Sequence, residues 1–262
     1  MKKRRLHFTR KVFAYPYMAF LLVFVLVPLV LILINAFLAD GKLTFDNFAE
    51  FFSDSGSLTV LVNSLVIGLV TTLICLAIGY PAAYLLVKHH ASNKVLVLLF
   101  ILPMWVNFLI RTLSTKAIFL ALNVPLGMGT VVFGMVYNYL PYMILPLHTT
   151  LLSIDRGYIE AAEDLGADKF SVLLKTVLPL SVPGIISGIT MTFIPAISTF
   201  AISELLSNRQ IYLFGDSINT KFTIAQNFGV GSVMSLVMLI LVVVANVLMN
   251  IVNKEDNVGS AL

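Results

Sequence analysis

Charge is what this chain has least of. Of its 262 residues only 11% are Asp, Glu, Lys or Arg, against 59% hydrophobic. A soluble domain carries about a quarter charged residues, and a water-exposed fold of this size has too little interior to hide so much apolar surface. Lipid must cover it. Cysteine is limited to Cys75, set in an apolar run, which excludes an intrachain disulfide and leaves the redox compartment unread. The phosphate loop Gly-x-x-x-x-Gly-Lys-Ser/Thr is missing, the one Gly-Lys pair, Gly41-Lys42, being followed by Leu43; ATP hydrolysis by this chain alone is excluded. His-Glu-x-x-His is missing too. The histidines His7, His89, His90 and His148 are scattered, with His89-His90 reading as a polar turn beside Lys88, so no metal site is expected. The net charge of +4 is spread over helix ends, which orients a membrane protein and does not build a nucleic-acid surface.

What is abundant is long apolar runs. A helix needs about 20 apolar residues to cross the hydrocarbon. Six segments qualify: Val12–Leu38, Leu58–Val87, Val95–Thr115, Met128–Leu151, Leu180–Ser203 and Ser232–Val252. The basic N-terminus before the first of them mimics a signal peptide, but the apolar run is too long for one and no small-residue cleavage site follows, so a retained span is expected. Pro28, Pro81, Pro103, Pro141 and Pro195 fall inside spans and predict kinks within a bundle, while Gly68, Gly79, Gly184 and Gly188 suit close helix contacts. An N-in, C-in topology places Lys2, Lys3, Arg4, Arg5, Arg10, Lys11, Lys88, Lys94, Arg156, Lys169, Lys175 and Lys254 inside, 12 residues. Only Lys42, Arg111, Lys116, Arg209 and Lys221, 5 residues, fall outside or near outer ends. The positive-inside rule therefore selects this orientation. One transmembrane domain over 1–262 is expected, with no soluble domain or repeat. The first outer loop is acidic, with Asp40, Asp46, Glu50 and Asp54 against Lys42.

The inner loop from Ser153 to Pro179 is charged but patterned. Ser153 or Asp155 caps a helix start and Gly166 suits the left-handed residue at its end. Tyr158, Ala161, Ala162 and Leu165 form a narrow apolar stripe opposite Glu160, Glu163 and Asp164. Asp168 caps a second short helix with Phe170, Leu173, Leu174 and Val177 as its stripe, stopped by Pro179. Such stripes must be buried against the chain's own helix ends or against a partner protein. Burial in the lipid interface is disfavoured by the acidic polar face.

Glu160-Ala161-Ala162, three residues, Gly166, nine residues, Thr176, one residue, then Leu178-Pro179 resembles the EAA loop of ABC-importer permeases, EAA-x3-G-x9-I-x-L-P, with Thr176 in place of isoleucine. That resemblance implies an all-α fold of six transmembrane helices, the type I importer permease fold. It implies that Glu160, Ala161, Ala162, Gly166, Leu178 and Pro179 couple the chain to a separate ATPase subunit, present in two copies and binding ATP and Mg. Asn63-Ser64-Leu65, Gly79-Tyr80-Pro81, Pro103-Met104-Trp105-Val106-Asn107, Ile110-Arg111, Leu140-Pro141-Tyr142-Met143 and Leu145-Pro146-Leu147 resemble the spermidine/putrescine branch, in particular the first of its two paired permeases. The resemblance implies a second permease subunit, an extracytoplasmic polyamine-binding protein and residence in the bacterial cytoplasmic membrane, without enzymatic activity in this chain.

A polycation's path should offer carboxylates and aromatic faces. Trp105 lies near mid-span, Tyr139 and Tyr142 share a helical face, and Glu204 ends the fifth span as the only acidic residue expected near membrane depth. Each has a plainer reading: the aromatics as bundle packing, Glu204 as a solvated carboxylate or the partner of Arg111, and Arg111 as a structural pair or a snorkelling side chain. Another small solute, or a secondary carrier, remains an alternative. Carriers usually show internal repeats and mid-span ionisable residues, which are scarce here.

Overall fold

The computed structural model describes residues 14–39, 41–88 and 94–259. The basic N-terminal residues, Val12, Asp40, His7, His89 and His90 lie outside the described residues. Among the described residues, apolar length and composition give four long spanning helices and two bent pairs, up to six spans with each bent pair counted as one.

The first span is α1 (Ala14–Leu21), a π turn (Leu22–Leu26) and α2 (Val27–Phe37). A short antiparallel hairpin, β1 (Leu38–Ala39) and β2 (Lys42–Leu43), leads into α3 (Asp46–Ser53) on the outer side. The second span is α4 (Ser55–Lys88); α5 (Lys94–Ile101), a 3-10 turn (Leu102–Trp105) and α6 (Phe108–Ala121) make the third; α7 (Met128–Ser153) is the fourth. The inner loop folds as α8 (Arg156–Asp164), α9 (Lys169–Val172), a π turn (Leu173–Val177) and α10 (Leu178–Leu180). The fifth span is α11 (Val182–Ser198), followed by α12 (Ile202–Leu206) and α13 (Phe214–Thr223) on the outer side, and α14 (Phe228–Gly259) is the sixth.

Hydrophobicity cannot by itself pull helices together in lipid, so contact surfaces must fit closely. Here α4, α7 and α11 pack through glycine. A Cβ added at Gly68 would lie 2.5 Å from Ile197 Cγ2, at Gly184 2.6 Å from Thr150 Cβ, and at Gly188 2.7 Å from Met143 Sδ. The expectation that these glycines mark helix contacts therefore holds, and Cys75, Ala83, Met143, Ile144 and Leu147 fill the core they enclose. The first span behaves oppositely. At a mean hydropathy of 3.1, none of its most apolar window is buried within the chain. Its outer end is tied by Asn47, whose amide donates to the carbonyls of Asn35, Ala36 and Leu38 at 3.3, 3.1 and 3.1 Å, satisfying groups a helix end leaves open.

Two spans are interrupted more sharply than the proline kinks expected, one at Pro103 and one at a position where no kink was expected. Val95–Thr115 is broken, with 102° between its two parts, and the outer part runs on to Ala121. Pro103 opens a 3-10 turn, Val106 is extended, and Asn107 starts a new helix by accepting from Leu109 N at 2.9 Å. The fifth span turns by 65° between Leu180 and Val182, and its helix stops at Ser198, short of Ser203. By contrast Pro81, Pro141, Pro146 and Pro195 stay inside continuous helices. The outer connections contain α3 and α13.

Gly188→Leu is expected to cost about 1–3 kcal/mol by overpacking α7 against α11. Gly129→Ala, where an added Cβ meets nothing within 4 Å, should stay within about 0.5 kcal/mol of wild type. Thermal unfolding midpoints in detergent check this; equal shifts for the two variants would contradict the packing described.

Candidate functional site: an inner loop and two broken spans

At the inner end, the loop is built by local hydrogen bonds. Asp155 caps α8 by accepting from Gly157 N at 2.9 Å. Gly166 takes φ +85°, a left-handed value that lets Gly166 N reach Glu163 O at 2.9 Å and Ala167 N reach Ala162 O at 3.1 Å. Asp168 stands at the start of α9, and the Ser171 hydroxyl, then nearby main-chain N–H groups, hold its carboxyl below the ordinary aspartate range.

The apolar residues of this loop divide between two faces. Ile159, Ala162, Ala167, Val172, Leu173 and Val177 pack on the inner ends of α4 and α7, beside Ala83, Leu86, Leu147 and Leu151. The expected stripe does not all go with them. Tyr158 is 60% exposed, Leu165 90% and Phe170 66%, with Ala161 exposed beside them. Self-packing thus consumes Ala162 and leaves the outward part of the stripe uncovered. Between loop and spans lies a cavity of about 420 Å³ reached by Tyr84, Lys88, Leu151, Arg156, Glu160 and Glu163. Leu178 and Pro179 form α10, directly before the 65° bend.

Deeper in the chain, the two breaks lie against each other. Phe108 follows the first break and Phe200 sits in the second, where Thr199 is extended and Ala201 takes φ +67°. Their rings meet edge to face at 6.3 Å. Irregular backbone at membrane depth leaves main-chain polar groups without helical partners, and it persists only where protein or water, not lipid, faces it. Trp105 is 81% exposed in the first break. Tyr139 donates its hydroxyl to Pro195 O at 3.3 Å and meets Tyr142 at 6.4 Å between rings. The structure therefore brings Tyr139 and Tyr142 to the end of α11.

Glu204 is elsewhere in its bonding: it pairs with Arg209 Nε at 2.7 Å, not with Arg111. Arg111 is 7% exposed, its guanidinium lies 5.7 Å from the Tyr137 ring centre, and its Nε and Nη1 are buried without a hydrogen-bond partner among the described residues. It neither pairs with an acid nor snorkels. Nor is Glu204 alone among acids at this level. Asp216 is 3% exposed, accepting from Ala201 N at 2.8 Å, from Leu213 N at 2.9 Å and from the Ser203 hydroxyl. Burial pushes its carboxyl above the ordinary aspartate value despite these bonds. Sequence reasoning passed it over. Its signal was an acid at the third position of a helix, reaching back to the residue before the first turn.

The family of binding-protein-dependent transport system inner membrane components matches residues 7–255. The chain belongs to it. The spermidine/putrescine transport system permease protein PotB of Haemophilus influenzae is 35% identical over 83% of this chain and 85% of its own length. PotB of Escherichia coli K12 is 32% identical over 84% of this chain and 89% of its own. Among solved structures, a bacterial ABC transporter importing the polysaccharide alginate superposes with TM-score 0.69 at 13% identity, over 94% of each chain. An inward-facing MetNI methionine ABC transporter gives 0.62 at 17% identity, over 76% of this chain and 95% of that one. The fold is that of type I ABC-importer permeases, and this multi-pass chain is a permease subunit, not the ATPase.

Because the folded pKa of Asp216 is raised, the native permease holds this proton more tightly than the unfolded chain does. Its contribution to stability is present at low pH and is lost as pH rises from the ordinary aspartate value through the raised one. Asp216→Asn should remove that slope, which unfolding midpoints across pH will read; a slope unchanged in the variant would acquit Asp216.

Proposed function

We propose that this permease is one of two paired, non-identical membrane subunits of an ATP-driven polyamine importer in the bacterial cytoplasmic membrane. Two copies of a separate ATPase, which bind ATP and Mg, dock on the inner loops, and an extracytoplasmic binding protein delivers spermidine or putrescine. The observation that carries the coupling half is the loop: one face belongs to the core of α4 and α7, and the other presents Tyr158, Leu165 and Phe170 to a partner. Glu160, Ala161, Ala162, Gly166, Leu178 and Pro179 form the coupling unit. ATPase closure presses α8, and the shared core carries the displacement into the spans.

The cargo rests on the names of the relatives, supported by the chemistry at the breaks. Trp105, Tyr139 and Tyr142 offer aromatic faces to alkylammonium groups, and interrupted helices leave carbonyls free to meet cations. Glu204 would act at the outer mouth, where Arg209 now neutralises it. One observation favours a second cargo: Nε and Nη1 of Arg111 are unpartnered among the described residues, and a carboxylate that reached them once the surrounding helices part would satisfy both.

In proteoliposomes holding the complete transporter and its binding protein, ATP should drive spermidine uptake. Gly166→Val forces a β-branched residue into a left-handed backbone and should cut uptake about tenfold. Full uptake by a normally assembled Gly166→Val transporter overturns the coupling role. ATP-driven import of a carboxylated solute, with spermidine neither imported nor competing, overturns the polyamine cargo in favour of the second reading.

A further inference from the structure

The inner loop joins the fifth span at Ser181, where the helix axis turns by 65°. This serine is fully buried. Its hydroxyl donates to Leu178 O at 2.8 Å, so it is the Tyr80 phenol that donates across to Ser181 Oγ, at 3.0 Å. Ser181 N reaches Val177 O and Leu178 O at 2.9 and 3.1 Å, and Ile185 N returns to Ser181 O at 3.0 Å. Pro179 and Pro183 stand on either side and cannot donate the N–H groups that a straight helix would use there. The bend is thus bonded from both directions and held to α4 by a side chain from outside its own segment.

On the loop side of this bend is the cavity of about 420 Å³ between α8, α9 and the inner ends of α4 and α7. It gives α8 somewhere to go. A push on the exposed face of α8 can be spent by collapsing that cavity, or it can turn α11 about its inner end. Only the second outcome reaches the break at Thr199–Ala201, at the far end of α11.

We propose that Ser181 is the pivot on which the inner loop swings, and that Tyr80 is the positioning residue that fixes this pivot to α4. The inference rests on the permease reading above. With the phenol in place the pivot cannot slide along α4, and displacement of α8 becomes rotation of α11. Without it, ATP hydrolysis continues while the motion dissipates in the cavity. Both residues belong to the permease and not to the ATPase, so their effect falls on the yield of transport per ATP and not on hydrolysis itself.

Tyr80→Phe, Ser181→Ala and the double variant would be assayed in the complete reconstituted transporter, measuring ATP hydrolysed per solute imported alongside assembly and thermal midpoint. Each single variant should raise the ATP cost of import about fivefold, the size set by one buried hydrogen bond. The double variant should add little to either, because the two residues act through one bond. A wild-type ratio in Tyr80→Phe, or effects that multiply in the double variant, overturns the pivot. A loss of uptake matched by equal losses of assembly or thermal stability overturns it also, as that is what a merely structural bond would do. If the wild-type complex imports no solute on ATP, the permease reading fails and takes the pivot with it; import by wild type with unchanged variants rejects the pivot alone.

Discussion

A main-chain N–H or C=O facing hydrocarbon has no water to bond, and this constraint governs the whole chain. Four spans meet it by remaining helical throughout, even across Pro81, Pro141 and Pro146. The other two do not, and their interruptions become informative for that reason. At Trp105–Asn107 and at Thr199–Ala201 the backbone leaves the helix, and the chain supplies substitutes: Asn107 caps the helix that follows the first break, and Asp216 collects Ala201 N behind the second. These repairs cost a buried carboxylate and a left-handed alanine. A fold that only had to cross the membrane would use neither.

The long helix α4 connects the two ends of the molecule. Near its inner end Tyr80 meets Ser181 at 3.0 Å, and nearer its outer end Ser64 accepts from Phe214 N at 2.6 Å. Phe214 opens the helix that carries Asp216, and Asp216 holds Ser203 and Ala201 after the second break. Between these points the glycine contacts of α4, α7 and α11 leave little slack, since close-packed interiors shift as units. A displacement at the inner loop therefore has a continuous route to the outer helices through packed side chains and hydrogen bonds.

How much of this was readable in advance varied with the range of the forces involved. The fold of the inner loop was legible because its determinants are local: Asp155 caps the helix by accepting from Gly157 N, and Gly166 is needed by its own φ. Span positions were legible because hydropathy sums over many residues. That Pro103 would break its helix and not merely kink it was not, since the same summation averages across it and proline alone does not discriminate; Pro81 and Pro146 bend nothing comparable. Asp216 was missed because two of its donors, Ala201 N and the Ser203 hydroxyl, lie 15 and 13 residues away in sequence. The division of the α8 stripe was likewise invisible. A 3.6-residue period says which residues share a face, not how far the neighbouring spans reach across it.

Arg111 gives the remaining tension its physical form. A guanidinium with buried, unpaired N–H groups is costly at membrane depth, and an isolated chain gains nothing from keeping it there. Tyr137 offsets part of that cost through its ring face, but a ring cannot accept the in-plane N–H groups at Nε and Nη1. What they lack is an acceptor among the described residues, and their burial inside this chain means that only a rearrangement of the helices around Arg111 would bring one to them. The same positive charge set behind the broken spans would also keep a polycation from resting against this wall. Under the polyamine reading, the aromatic residues at the breaks then carry the path, where Trp105 is open and Tyr139 is bonded to the end of α11.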